Sequence, residues 1–332
     1  MEPSMSDIVV SHSKIQTARR CMRKYNFKYI ESIQPKKKAA PLFRGTILHE
    51  MVEARARNKD PYVISRKYAR EHRALFREER EMYGETFMED IERIFAGYAR
   101  AWGDEKLKYE YIEAEVNGVL PGTDVTMVGY IDKIVRDKNN RRWLMDHKSC
   151  KNIPEEAQRF SDLQLVQYYY LWNKQNPKEL IDGIIWDYLR TKPPTVPETL
   201  KNGELTKRAN IDTDFYTYSN ELRRSNLDPR PYEDILFNLK KRGSMDFFQR
   251  ISLPAPPKEM VKSVVQDAAD TAEFIVAFGK TVKTRNMTKN CSFDCDYYRL
   301  CHAEVRGLDA DFVRKADFEE RKPDDRLAKE SD

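Results

Sequence analysis

Residues 143–152 read WLMDHKSCKN: an apolar run, Trp143-Leu144-Met145, leads straight into Asp146-His147-Lys148. The run has the composition of a core strand. Another strand-like stretch, TDVTMVGYIDKIVRD at 123–137, precedes it, and the polar turn DKNN lies between them. An antiparallel hairpin over 123–137 and 141–149, turning at Lys138-Asn139-Asn140, puts Asp132 opposite Asp146 or His147. Cross-strand neighbours lie roughly 5 Å apart at Cβ. Two carboxylates that close repel unless a cation sits between them, so the pair points to a divalent metal. The period of two puts Asp146 and Lys148 on one face, so the lysine lies beside the same metal. The competing reading is an exposed hairpin carrying a surface salt bridge.

Oxygen ligands around Mg²⁺ or Mn²⁺, with a lysine alongside, make a layout suited to cutting a phosphodiester. Two helices carry further polar residues on apolar faces. FRGTILHEMVE at 43–53 sets Gly45, His49 and Glu53 near one face, where His49 either supplies an imidazole ligand or is a satisfied core histidine. QLVQY at 164–168 sets Gln164 and Tyr168 one turn apart, where a nucleic-acid backbone or the metal site would satisfy them, or plain helix packing would.

The remaining chain reads as helix over 12–31, a long amphipathic helical stretch over 62–102, a strand over 109–118, a helix over 154–174, a strand over 182–191 and a helix over 258–283. Residues 195–256 read as a helical insertion with polar loops, and 305–332 as a charged, mobile tail. With 40% hydrophobic and 11% aromatic residues, 332 residues suffice for one large domain or two modest ones. No apolar run is long enough to span a bilayer, and MEPSMSDIVV lacks the pattern of a secretory leader, so a cytoplasmic protein with no membrane partner is expected. A net charge of +5 says little, but residues 14–38 hold nine basic residues against the single acid Glu31, interleaved with Tyr25, Phe27 and Tyr29. That mixture suits a nucleic-acid surface, or a solvated helix face with its aromatics in the core.

Five cysteines, an odd number, argue against a disulfide framework. Cys291, Cys295 and Cys301 cluster in CSFDCDYYRLC, which favours a metal or cluster site needing a fourth ligand.

In order, a G-x-x-x-H helix (Gly45 to His49), a G-x-x-D strand (Gly129 to Asp132), a D-x-K strand (Asp146 to Lys148) and a Q-x-x-x-Y helix (Gln164 to Tyr168) resemble the PD-(D/E)XK nuclease superfamily, specifically its RecB-like branch. The resemblance implies an α/β fold with a restriction-endonuclease-like core over 1–304, its mixed sheet flanked by helices. It implies His49, Asp132 and Asp146 as metal ligands, helped by the His147 carbonyl, with Lys148 catalytic and Gln164 and Tyr168 positioning the substrate. The His147 side chain should point to the opposite face. By likeness to AddB and CRISPR-associated exonucleases, Cys21 joins the three late cysteines around a 4Fe–4S cluster that staples the two ends of the domain. Zinc is the rival at a Cys₄ site, and Cys150 is expected as a free buried thiol. The implied activity is metal-dependent DNA exonuclease action on single strands or duplex ends, in recombination, repair or phage DNA metabolism. A phage origin would place the chain in the host cytoplasm. A structure-specific endonuclease is one alternative; a non-catalytic DNA-binding subunit of a helicase–nuclease or CRISPR-adaptation complex is another. No P-loop is present, so any unwinding would come from a helicase or recombination partner.

Overall fold

The computed structural model describes residues 9–208 and 210–321. Strand β1 (Val9–Ser11) runs into α1 (His12–Arg20). Cys21 then takes extended backbone (φ −167°, ψ 116°), so the helix expected over 12–31 is interrupted and continues as α2 (Met22–Tyr25) and a π-helical turn, Asn26–Ile30. Strand β2 (Ile33–Pro35) and α3 (Ala40–Ala56) follow. The stretch over 62–102 is three helices rather than one: α4 (Tyr62–Ala74), α5 (Arg77–Tyr83) and α6 (Phe87–Ala101). Extended backbone at Leu75 and a φ of 92° at Gly84 end the first two; glycine alone takes the second conformation without strain.

The strands β3 (Lys108–Val119), β4 (Thr126–Arg136) and β5 (Arg142–Cys150) match the alternating segments of the sequence. Helices α7 (Glu156–Phe160) and α8 (Gln164–Gln175) cross over to β6 (Gly183–Arg190). Next come α9 (Phe215–Arg224), α10 (Glu233–Arg242), β7 (Phe248–Pro254) and α11 (Lys258–Phe278). The chain continues through α12 (Cys291–Asp294), α13 (Tyr298–Arg306), α14 (Ala310–Asp317) and β8 (Phe318–Glu320).

Six strands form one mixed sheet, ordered β1-β4-β5-β6-β7 with β3 also on β4. Strand β4 pairs with β3 along its length. Its other edge is shared: β1 covers Thr126–Val128 in parallel and β5 covers Lys133–Arg136 antiparallel. Gly129 to Asp132 belong to neither ladder, and β5 beyond Met145 pairs only with β6. The sheet therefore opens into a fork between β1 and β5, and the candidate site lies in it. One core packs α1, α8 and α11 on the sheet through Ile15, Leu165, Leu171, Ala268 and Ala272. A second packs α3 and α6 through Leu48, Met51, Ile91 and Phe95.

Two sequence expectations need correction. Residues 248–254, placed in the helical insertion, are the edge strand β7, paired antiparallel with β6 from Leu189↔Phe248 to Gly183↔Pro254. The rest of that segment has its own small core around Tyr218, Leu222, Tyr232 and Leu239. The expected tail also folds as far as it is described. Phe318 stacks on Tyr297 at 5.5 Å, and β8 pairs with β2, because Phe27, Ile33 and Leu300 offer an apolar surface that the charged composition hides. Residues 322–332 lie outside the described residues.

Candidate active site

The hairpin register pairs Lys133 with Met145, which carries Asp132 opposite Asp146 one step further on, where the ladder has ended. In place of a ladder bond, Asp132 Oδ2 accepts from His147 N at 2.7 Å. Asp146 is 4% exposed, and its Oδ2 makes no hydrogen bond, having only the Lys148 ammonium nearby at 3.0 Å. Burial pushes the Asp146 carboxyl up to about 7; Lys148 opposes the rise and Asp132 adds to it. A buried carboxylate oxygen lacking a hydrogen bond beside a second carboxylate is the environment a divalent cation relieves.

Lys148 Nζ donates to Gln164 Oε1 at 2.6 Å and lies 3.6 Å from Asp162. Gln164 Nε2 donates to Tyr168 OH at 3.1 Å. Helix α8 comes this close because Gly129 has no side chain: a Cβ there would stand 2.3 Å from Tyr168 Cε1. Gly45 does the same for α3, where a Cβ would meet Ser149 Oγ at 2.7 Å. One helical turn on, His49 Nε2 reaches the fork, 3.0 Å from Glu113 Oε1 and 3.7 Å from Asp132 Oδ1. Burial disfavours the imidazolium, but the Glu113 hydrogen bond and the Asp132 charge prevail and take it up to about 9.

His49, Glu113 and Asp132 each offer one ligand atom, all within 4.8 Å of one another, which is the spacing of a metal site. Of the three ligands named from sequence, the structure groups His49 and Asp132 with Glu113, while Asp146 adjoins them through Lys148 and the strand register. Glu113 is the residue the sequence reading missed. It lies where β3 faces Asp132 and adopts a φ of 54°. Around it the alternation slips, since Ile131 and Ile134 pack in the same core.

The His147 side chain points to the other face, as expected from the strand period, and is nearly sealed there. Its Nδ1 lies 2.9 Å from Asp187 Oδ2, which also accepts from Tyr98 OH at 2.6 Å. Arg250 bridges Asp187 (3.2 Å) and Glu105 (2.5 Å). This buried network joins β5, β6, β7 and α6 directly beneath the fork.

Cys21, Cys291, Cys295 and Cys301 line one cavity with Arg20, Arg285 and Thr288. All five cysteines are free thiols. Cys291 Sγ accepts from Thr288 N at 3.3 Å, which lowers its pKa, while burial raises those of Cys295 and Cys301. Cys150 stands apart against Leu189 O at 3.7 Å, its thiol pushed up to about 11 by burial. Among the described residues, no helix is long and apolar enough to cross a membrane.

The family model for the PD-(D/E)XK nuclease superfamily matches residues 9–302. No curated protein is significantly similar to the chain. Solved structures to which the chain is similar include these two. One is the crystal structure of SSO0001, at 12% identity and TM-score 0.37, covering 90% of this chain and 87% of that one. The other is a "Putative exonuclease" from Eubacterium rectale, at 9% identity and TM-score 0.49, covering 87% and 88%.

Proposed function

The chain belongs to the PD-(D/E)XK nuclease superfamily, and from that premise we propose that it is a divalent-metal-dependent DNA exonuclease acting on single strands or duplex ends. The observation that carries this reading is the fork itself, where His49, Glu113, Asp132, Asp146 and Lys148 converge on the floor of a cleft of about 1220 Å³. A small-molecule pocket holds roughly 300–1,000 Å³, so the cleft suits a polymer better than a metabolite.

His49, Glu113, Asp132 and Asp146 would hold Mg²⁺ or Mn²⁺, whose chemistry when bound is to acidify a water and offset phosphate charge. The remaining work belongs to the chain. Lys148, fixed by Gln164 and Asp146, orients the attacking water and donates to the phosphoryl oxygen as its charge grows. Gln164 is itself fixed by Tyr168, so the ammonium is positioned before the substrate arrives. The His147 backbone, anchored from below by Asp187, holds Asp132 in place. The four thiols around one cavity suit a 4Fe–4S cluster, with zinc the alternative; iron, sulfide and zinc content of anaerobically purified protein separates the two.

The test is cleavage of end-labelled linear single-stranded DNA with Mn²⁺, with Mg²⁺ and with EDTA, beside Lys148→Ala and a covalently closed circle. Metal-dependent loss of label from linear DNA, sparing circles and falling at least about 100-fold in Lys148→Ala, is expected. Cleavage of circles would make the enzyme an endonuclease. A folded, metal-loaded protein that binds DNA without cutting it would make it a binding subunit.

A further inference from the structure

The basic segment from Lys14 to Lys38 invites assignment to nucleic acid as a whole, yet most of it is already committed. Arg20 pairs with Asp294 at 2.6 Å, Arg23 with Glu31 at 2.7 Å and with Glu304, Lys24 with Asp296 at 3.7 Å, and Lys37 with Glu79 at 2.9 Å. Arg19 donates to Thr271 Oγ1 and to the Asp267 carbonyl, and Lys36 to the Lys315 carbonyl. Arg20, Arg23, Lys24 and Lys36 hold the cysteine-bearing segment and the last helices against the domain.

Lys14 is different. Its ammonium donates only to the Val9 carbonyl at 2.9 Å, and among the described residues it has no acidic partner. Arg321 likewise has none there; its guanidinium lies over the Tyr29 ring at 5.1 Å, with Lys14 over the same ring at 6.0 Å. The Tyr29 hydroxyl is 3.4 Å from Ser13 Oγ. Burial and the Arg321 charge both press the Lys14 pKa down, so an anion between the two cations would relieve both. All four side chains line the same cleft as Asp132, Asp146 and Lys148.

Their place in the cleft is set by the sheet. Ser11 pairs beside Val128, four residues before Asp132 on β4. At ~3.3 Å per residue the start of α1 stands roughly 13 Å along β4 from Asp132, and Lys14 is held further back, on the carbonyl of Val9, which pairs beside Thr126. We propose that Lys14, Arg321, Tyr29 and Ser13 form a second anion site in the cleft, binding a backbone phosphate of the substrate strand away from the scissile one, a proposal that rests on the nuclease reading. The cleft then has an acidic end that takes metal and a cationic end that takes strand.

The test is binding of a fluorescein-labelled oligothymidylate in Mn²⁺ across a series of KCl concentrations, in the Lys148→Ala background so that nothing is cut. Each phosphate contact to a single strand contributes ~0.7 to the slope of log K against log salt. Lys14→Gln with Arg321→Gln, which removes one phosphate contact, should therefore flatten the slope by about 0.7. Lys14→Arg with Arg321→Lys should restore it. Lys262→Gln with Lys280→Gln, the same loss of charge at two exposed lysines outside the cleft lining, should leave it within experimental error. A wild type that cleaves DNA, with the parent slope retained in the Gln pair, would remove the site and leave the nuclease reading standing. A slope lost equally in the Lys262/Lys280 pair would reduce the effect to net charge and overturn the site. A wild type that neither binds nor cuts DNA would overturn both.

Discussion

Glu113 and Asp132 keep a proton on His49 up to about pH 9, and a metal ion must displace that proton to reach Nε2. Below pH 9 the protonated form dominates, so between pH 7 and 9, where Asp146 is ionised, apparent Mn²⁺ affinity should rise with pH by up to about tenfold per unit, and level off above 9. Titration calorimetry in buffers of different protonation enthalpy should find close to one proton released per metal near pH 8, where Asp146 is largely ionised and His49 still protonated. Flat, proton-neutral binding would remove His49 from the ligand set. At this scale the sequence was legible where a short period does the work. Asp132, Asp146 and Lys148 follow from a hairpin turn and a period of two. Glu113 does not: Glu113 and Glu115 fall on the same face of an alternating strand, and nothing local announces that Glu113 takes a positive φ. Asp187 and Arg250 were illegible for a different reason, since their partners come from strands far apart in the chain.

Elements meet at the fork through two glycines, and this makes a packing claim testable. Gly129→Ala forces a Cβ against the outer atoms of the Tyr168 ring, the nearest at 2.3 Å, so it should cost about 1–3 kcal/mol as overpacking. Tyr168→Leu removes those atoms, and Gly129→Ala in that background should cost measurably less. Urea denaturation of the four proteins gives the coupling; equal costs in both backgrounds would mean that something other than Tyr168 requires the glycine. Beneath the fork the elements are tied by charge. Burial opposes ionisation of Asp187, yet Arg250 and His147 overcome it and hold the carboxyl well below the usual carboxylate range. A depressed folded-state pKa gives stability that is fully present above the unfolded value near 3.9 and is lost as pH falls below it. Asp187→Asn should leave Arg250 without that partner, cost about 3–5 kcal/mol at pH 7, and narrow its gap to wild type as the pH falls through 4 and below. A gap independent of pH would assign the cost to packing alone.

Across the described molecule, the segment around residues 21–35 closes on the segment around 285–320, and the four cysteines line a cavity in that seam. Arg23 reaches Glu31 and Glu304, Arg314 reaches Glu31 at 2.5 Å, and Phe27, Tyr297 and Phe318 stack while β2 and β8 pair. From sequence the thiols alone suggested a staple, because spaced cysteines are conspicuous. The aromatic stack and the ion pairs were hidden in what reads as charged tail. The edge strand β7 was hidden likewise, behind an inserted unit that separates it from β6. The closure therefore has two separable parts. On the proposed four-thiol metal site, Cys301→Ser should lose its iron or zinc, lower the melting temperature by about 1.5–3 °C for about 1–2 kcal/mol, and leave the contacts between the two segments folded. Tyr297→Ala should open the same region with all four thiols intact, because it removes a side chain 2% exposed that stacks on two rings and donates to the Ile33 carbonyl at 2.7 Å. Limited proteolysis reads the difference. Cleavage between α12 and β8 should be prompt in Tyr297→Ala and slow in Cys301→Ser. The reverse order would mean that the thiol-bound metal, and not the aromatic stack, holds the C-terminal segment on the domain.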